Sequence, residues 1–224
     1  MTPSATMNTL LCFGDSNTWG YDPAGTAASS YPVRHPPHVR WTGVLARELG
    51  TGWRVIEEGQ NGRTTVHEDP MAVASRNGRH YLPACLESHK PIDIVVLMLG
   101  SNDLKTMFNL PPGDIAAGAS LLVKTILQSD TGPGAKAPRL LLICPPAIGD
   151  LSGLPELNAK LAGGREKSLA LPGFYQAVAN LHGVAFLNSQ DHVVPSPVDG
   201  IHLEARDHEA LGKAVAKAIA QMVS

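Results

Sequence analysis

A chain of 224 residues, 43% hydrophobic and 17% charged, can bury one sizeable core, which excludes the composition of a disordered chain and favours a single domain over residues 1–224. The formal net charge is −2 with both signs mixed along the chain, so no basic stripe faces a phosphate backbone and nucleic acid is excluded as a partner. The opening MTPSATMNTL has no positive charge, and the longest apolar run, Ile94 to Leu99, is far short of a membrane span; neither signal peptide nor membrane anchor is expected, and the expected location is cytoplasmic.

In chain order, short apolar runs ending at glycine or proline alternate with helix-period stretches, the pattern of βα units that feed a parallel sheet. The first strand is predicted at 9–13 (TLLCF) and runs into Gly14-Asp15-Ser16-Asn17-Thr18-Trp19-Gly20. A serine in a tight, glycine-led turn is where an exposed nucleophile would sit, and equally where Asp15 and Ser16 would cap a helix. A Gly- and Pro-rich stretch at 20–38 precedes a helix at about 39–49. The second strand, 53–57 (WRVIE), leads to Gly62, whose backbone N–H could approach a substrate oxygen with no Cβ in the way, or which simply makes a turn.

A helix at about 80–89 and a strand at 92–99 (IDIVVLML) follow, the latter ending in Gly100-Ser101-Asn102-Asp103. A side-chain amide at Asn102 can donate to a developing oxyanion, and an asparagine there can also be a turn residue. The helix at 114–129 repeats Ile115, Ala119, Leu122, Val123 and Ile126 at helical spacing, with Asp114 or the preceding turn as its cap. A strand at 139–144 and a second Gly- and Pro-rich stretch at 145–163 come next, then a helix at about 163–181 and a strand at 184–187. Both of those stretches are unusually long for connections in a compact domain and read as loops with a job or an interface, or equally as surface decoration.

Before a last helix at 203–222 lies Val198-Asp199-Gly200-Ile201-His202-Leu203. Three residues apart on a turn, Asp199 and His202 face the same side; a carboxylate on Nδ1 fixes the tautomer and leaves Nε2 to take a proton. Taken alone, DxxH reads better as a helix-capping aspartate beside an exposed histidine. The remaining histidines, His208 and His35 among them, read as mostly solvated. Cys12, Cys85 and Cys144 are an odd count without metal-type spacing and read as buried thiols in a reducing compartment. Ligands of an open parallel sheet bind at the carboxyl ends of its strands, where Ser16, Gly62 and Asn102 all fall.

Together and in order, GDS, a glycine after strand two, GxND after strand three and DxxH before the last helix resemble the SGNH, or GDSL, hydrolase superfamily. The match is closest to its small bacterial arylesterase and acyltransferase branch, to which FGDSxTWG, RWTGVLA at Arg40–Ala46 and EEG at Glu57–Gly59 are also similar. The resemblance implies an α/β fold, a three-layer α/β/α sandwich with a five-stranded parallel sheet (the flavodoxin-like SGNH fold). It implies a serine esterase that attacks short-chain, acetyl-type esters of aryl, alkyl or sugar alcohols through an acyl-enzyme on Ser16, with acyl transfer as a second outcome.

By the same resemblance His202 is the base and Asp199 its orienting partner. The Ser16 N–H, the Gly62 N–H and the Asn102 amide form the oxyanion hole, and no metal or cofactor is needed. Asn17 stands where the family most often has leucine, which touches local packing or a polar contact to substrate. Trp19 is expected to wall a small acyl pocket or to join the core. Insertions such as 20–38 and 145–163 meet across subunits in this branch, so a homo-oligomer is expected; the other partner is a small-molecule ester. Two rival readings stand beside this one. A metal-dependent phosphoesterase could use Asp15, Asn102, Asp103 and His202 as ligands, though too few histidines lie beside the aspartates. A non-catalytic module could bind acylated glycans.

Overall fold

The computed structural model describes residues 7–223; the first six residues, which carry part of the expectation about a signal peptide, lie outside them. Five strands form one sheet in the order β2-β1-β3-β4-β5: β1 (Asn8–Gly14), β2 (Trp53–Gly59), β3 (Ile94–Met98), β4 (Arg139–Cys144) and β5 (Ala185–Asn188). Every neighbouring pair is parallel. The central strands are apolar without alternation because both of their faces are covered. Successive side chains still point to opposite faces. Leu11, Phe13, Val95 and Leu97 enter one core, while Leu10, Cys12, Val96 and Met98 enter the other.

The helices are, in chain order, α1 (Ser16–Trp19), α2 (Pro23–Ala27), α3 (Trp41–Leu49), α4 (Gly78–His89), α5 (Pro112–Leu127), α6 (Pro155–Lys160), α7 (Gly164–His182) and α8 (Ala205–Val223). Leu82 of α4, Leu122 of α5 and Tyr175 of α7 close the first core. Leu45 of α3 and Leu211, Val215 and Ile219 of α8 close the second. The result is the three-layer α/β/α sandwich. Among the described residues no helix is long and apolar enough to cross a membrane.

Three local departures from the sequence reading have physical causes. α5 begins at Pro112, where a missing N–H costs nothing, and Asp114 lies in the first turn and does not cap it. The third strand starts at Ile94 because Asp93 turns its carboxylate to the Thr9 N–H at 2.7 Å. The stretches 20–38 and 145–163 are not plain loops, since α2 and α6 fold within them. α7 runs through Pro172, whose ring removes the donor that the Ser168 carbonyl would use. Gln190 Nε2, just after β5, donates to that carbonyl at 2.9 Å.

β1 lies between β2 and β3, so the chain crosses the sheet in opposite directions from its carboxyl end. A crevice opens there, at the switch point where open parallel sheets bind ligands.

Candidate active site

At the end of β1 the chain turns within one residue into α1. Gly14 is required by close approach, because a Cβ there would lie 2.1 Å from Thr18 Oγ1 and 2.9 Å from the Met98 carbonyl. Asp15 caps the turn by accepting the Asn17 N–H at 3.0 Å, which leaves Ser16 at the first helical position with its N–H unused by the helix. The Asp15 carboxyl is sealed in. Burial pushes its pKa from 3.8 to about 6, against the pull of the Asn17 N–H and of His202, and its Oδ2 has no hydrogen-bond partner.

The imidazole that faces Ser16 comes from the other end of the chain. Gly200, at φ +67°, lets Asp199 Oδ1 fold back onto the Ile201 and His202 N–H groups, each at 2.9 Å. Its Oδ2 lies 2.6 Å from His202 Nδ1, and His202 Nε2 lies 2.9 Å from Ser16 Oγ. A carboxylate only accepts, so Nδ1 carries the proton and Nε2 is the acceptor that faces the serine hydroxyl. Burial works against ionising Asp199, but the His202 ring and the two N–H donors outweigh it and hold the carboxyl below its usual range. Asp199 is therefore the imidazole's partner and caps no helix: the N–H groups it accepts belong to the loop at Ile201 and His202, and α8 begins only at Ala205.

Gly62 and Asn102 complete the crevice. Gly62 adopts φ +80°, a left-handed conformation that only glycine takes without strain. That conformation is the reason for a glycine; a Cβ would otherwise meet the Arg76 side chain at an ordinary 3.5 Å. Its turn is clamped by the buried Arg63, which donates to the Gly14 carbonyl at 2.9 Å and lies over the Phe13 ring. Asn102 Nδ2 donates to the Arg63 carbonyl at 3.1 Å, leaving its second N–H for a ligand. Ser16, Gly62, Asn102 and His202 line one cavity of about 260 Å³.

Asn17 and Trp19 do not line that cavity, which corrects their expected place at the substrate. Asn17 is buried behind Ser16, where its Oδ1 accepts the Leu203 N–H at 3.2 Å and its Nδ2 reaches the Ile201 carbonyl at 3.4 Å. It clamps the segment that carries His202. The Trp19 ring instead packs under the Arg34 guanidinium. The wall is Tyr21, stacked on the His202 ring with centroids 3.9 Å apart, a residue hidden from sequence reasoning in a stretch read as loop. Leu157 and Leu161, from the other long stretch, also line the cavity. A larger, more open depression of about 780 Å³, lined by Val193 to Pro197, contains none of the paired groups.

The histidines at 35 and 208 are buried and not solvated. His208 Nδ1 accepts the Trp41 N–H at 3.2 Å, capping α3, and burial together with the charge of His35 pushes its pKa down to about 3. The three cysteines are free and buried. Asp103 is spent on Thr65, whose N–H it accepts at 3.0 Å. Among the described residues the one trio close enough to hold a metal ion is Glu58, Cys85 and His89, which shares no member with the proposed phosphoesterase ligands. Asp15, Asp103 and His202 do not form such a trio among the described residues.

A serine hydroxyl on an imidazole oriented by a carboxylate, beside donors at the ends of β1, β2 and β3, can carry out acyl transfer. The sequence matches the GDSL-like lipase/acylhydrolase family over residues 12–210. A search of curated protein sequences finds no match. Among solved structures the chain is similar to a carbohydrate acetylesterase from Sinorhizobium meliloti, with 40% identity over 96% of this chain and 99% of that one and a TM-score of 0.90. It is also similar to the native aryl esterase of M. smegmatis, with 40% identity over the same shares and a TM-score of 0.89. A lipase/acylhydrolase from Enterococcus faecalis, 20% identical over 96% and 97% of the two chains with a TM-score of 0.65, shares the fold. The chain therefore belongs to the GDSL-like lipase/acylhydrolase family and is a carboxylic ester hydrolase.

Proposed function

We propose that the chain hydrolyses short-chain, acetyl-type esters of aryl, alkyl or sugar alcohols through an acyl-enzyme on Ser16. The observation that carries this reading is the Asp199–His202–Ser16 relay, at 2.6 and 2.9 Å, opening into the 260 Å³ cavity. Ser16 Oγ attacks the ester carbonyl as its proton passes to His202 Nε2. The carbonyl oxygen takes the negative charge, met by the Ser16 and Gly62 N–H groups and the Asn102 amide. When the tetrahedral adduct collapses, the C–O bond to the alcohol breaks and His202 returns the proton to the leaving oxygen. Water, activated by the same base, then frees the acid; an alcohol in its place gives transesterification.

The short acyl preference is supported by the small cavity and by its similarity to an acetylesterase and an aryl esterase. A cytoplasmic location is supported by the three unpaired, buried thiols, and assembly into a homo-oligomer remains tied to the stretches 20–38 and 145–163. An acyl-glycan binding module would need the ester to rest unreacted beside Ser16, whose oxygen is already hydrogen-bonded to its base.

Release of p-nitrophenol from acetate, butyrate and octanoate esters tests this reading. Wild type is expected to turn over the acetate fastest, Ser16→Ala to fall to background, and excess chelator to change nothing. Activity that survives Ser16→Ala, or vanishes with the chelator, would overturn it.

A further inference from the structure

The charge of the cavity beside Ser16 is one-sided. Twelve residues line it, two of them lysines, Lys105 and Lys160, and none of them acidic. The two lysines differ. Lys105 is buried and its ammonium lies 2.7 Å from Asp69 Oδ2, with both side chains 9% exposed. Burial of the Asp69 carboxyl opposes ionisation, but the hydrogen bonds from Lys105 and the Met71 N–H and the charges of both lysines prevail and hold it below its usual range. One carboxylate thus answers two ammonium groups. Lys160 has no ion-pair partner among the described residues, so a full positive charge is left over at the cavity.

The side chain of Lys160 is exposed, and its backbone is anchored. Lys160 closes α6, and its carbonyl accepts the Thr106 N–H at 2.9 Å, tying the helix end to the segment just after Asn102. Leu157 and Leu161 flank it on the cavity wall. A neutral ester leaves this lysine to water. An ester with an anionic group places the opposite charge against it, next to an apolar wall that keeps some of that water away.

We propose that the cavity selects esters bearing a carboxylate near the scissile bond, with Lys160 as the residue that reads the negative charge. This deepens the esterase reading and rests on it. The carboxylate can sit on the acyl side, as in a half-ester of a dicarboxylic acid, or on the alcohol side, as in an acetylated hydroxy acid.

Two pairs of substrates separate the sources: mono-p-nitrophenyl glutarate against its methyl ester, and 4-acetoxybenzoate against its methyl ester. For each pair the ratio of kcat/KM, anionic over neutral, is measured in wild type, Lys160→Arg and Lys160→Glu, at low and high salt. Charge reversal is expected to lower the ratio about tenfold for one pair, Lys160→Arg to keep it, and high salt to shrink the wild-type ratio as screening shortens the reach of the charge. The pair that responds identifies the side. If neither ratio moves on charge reversal while the methyl esters are still turned over in a Ser16-dependent way, the selectivity inference falls and the esterase reading stands. If Ser16→Ala retains the turnover, both fall.

Discussion

The two halves of the site are held by different forces. The nucleophile turn, Asp15 to Thr18, is at most 6% exposed, grows directly out of the interior strand β1, and closes on itself through Trp19 N–H to Asp15 O and Gly20 N–H to Ser16 O, both at 2.9 Å. The base loop from Val193 to Ile201 belongs to no helix or strand, and Val194 and Val198 are exposed. It is strung on hydrogen bonds: Ser196 N–H to His202 O and Gly149 N–H to Gly200 O at 2.7 Å, Val194 N–H to Asp207 at 3.1 Å, and Leu203 N–H to Asn17. Packing fixes Ser16, whereas polar atoms fix His202. Substitutions that keep volume but change a donor or an acceptor should therefore strike the base side hardest.

The largest effect expected from such a change is at Asp199. In Asp199→Asn the amide oxygen can still accept the Ile201 and His202 N–H groups, so the loop keeps its shape. Its NH₂ faces His202 Nδ1, however, which must then become the acceptor and push the proton to Nε2, toward Ser16. The base is occupied, and kcat on an acetate ester should fall by about 10⁴ while the far-UV spectrum is unchanged. A fall under tenfold would break the assignment of Asp199 as the orienting group. Asn102→Ala comes next: one oxyanion donor is lost and the nucleophile and base are untouched, so kcat should drop by about 10²–10³ with KM little altered. A rise in KM with kcat unchanged would mean that Asn102 holds the ground state as tightly as the transition state.

How far the sequence carries follows the same division. The strand ends, and with them Ser16, Gly62 and Asn102, were legible because an unbroken apolar run followed by glycine marks a buried parallel strand and its carboxyl edge. Asp199 and His202 were legible as a pair because their spacing is local. Asn17 was not, since its partners at Ile201 and Leu203 are 184 and 186 residues away. Trp19 was misplaced and Tyr21 missed because nothing in a stretch read as loop tells which ring turns toward a histidine at the far end of the chain. His208 did leave a signal, as it shares the apolar stripe of Leu211, Val215 and Ile219 on α8. Its polarity hid it.

Buried titratable groups, one behind each half, offer a way to sharpen the comparison through pH. Asp15, with its pKa raised from 3.8 to about 6, favours the fold below pH 4 and loses that contribution, about 3 kcal/mol, as pH rises through 6. His208, lowered from 6.5 to about 3, has the opposite sign: its contribution is complete above pH 6.5 and is lost as pH falls toward 3. The two oppose each other between pH 4 and 6. In Asp15→Asn the amide can still cap the Asn17 N–H, and only the falling limb is removed. Urea midpoints measured from pH 4 to 7 should then rise more steeply with pH in the variant than in wild type; parallel profiles would mean that Asp15 is ionised in the fold throughout.

The smallest effect, and the one that probes the seam between the halves, belongs to Asn17. It sits on the rigid turn, yet both of its polar atoms serve the tethered loop. Asn17→Ala leaves the buried Leu203 N–H without an acceptor, which should cost about 1–3 kcal/mol of stability. The nucleophile turn, packed independently, should keep its shape. The imidazole would lose part of its anchoring from below while Tyr21 still covers one face and Asp199 still holds Nδ1. We expect kcat to fall about tenfold, KM to stay within about twofold, and the Leu203 amide to exchange its hydrogen faster while the amides of β1 do not change. Equal acceleration in β1 would show that the turn and the loop unfold as one unit, and that the division between packing and hydrogen bonding does not extend to their dynamics.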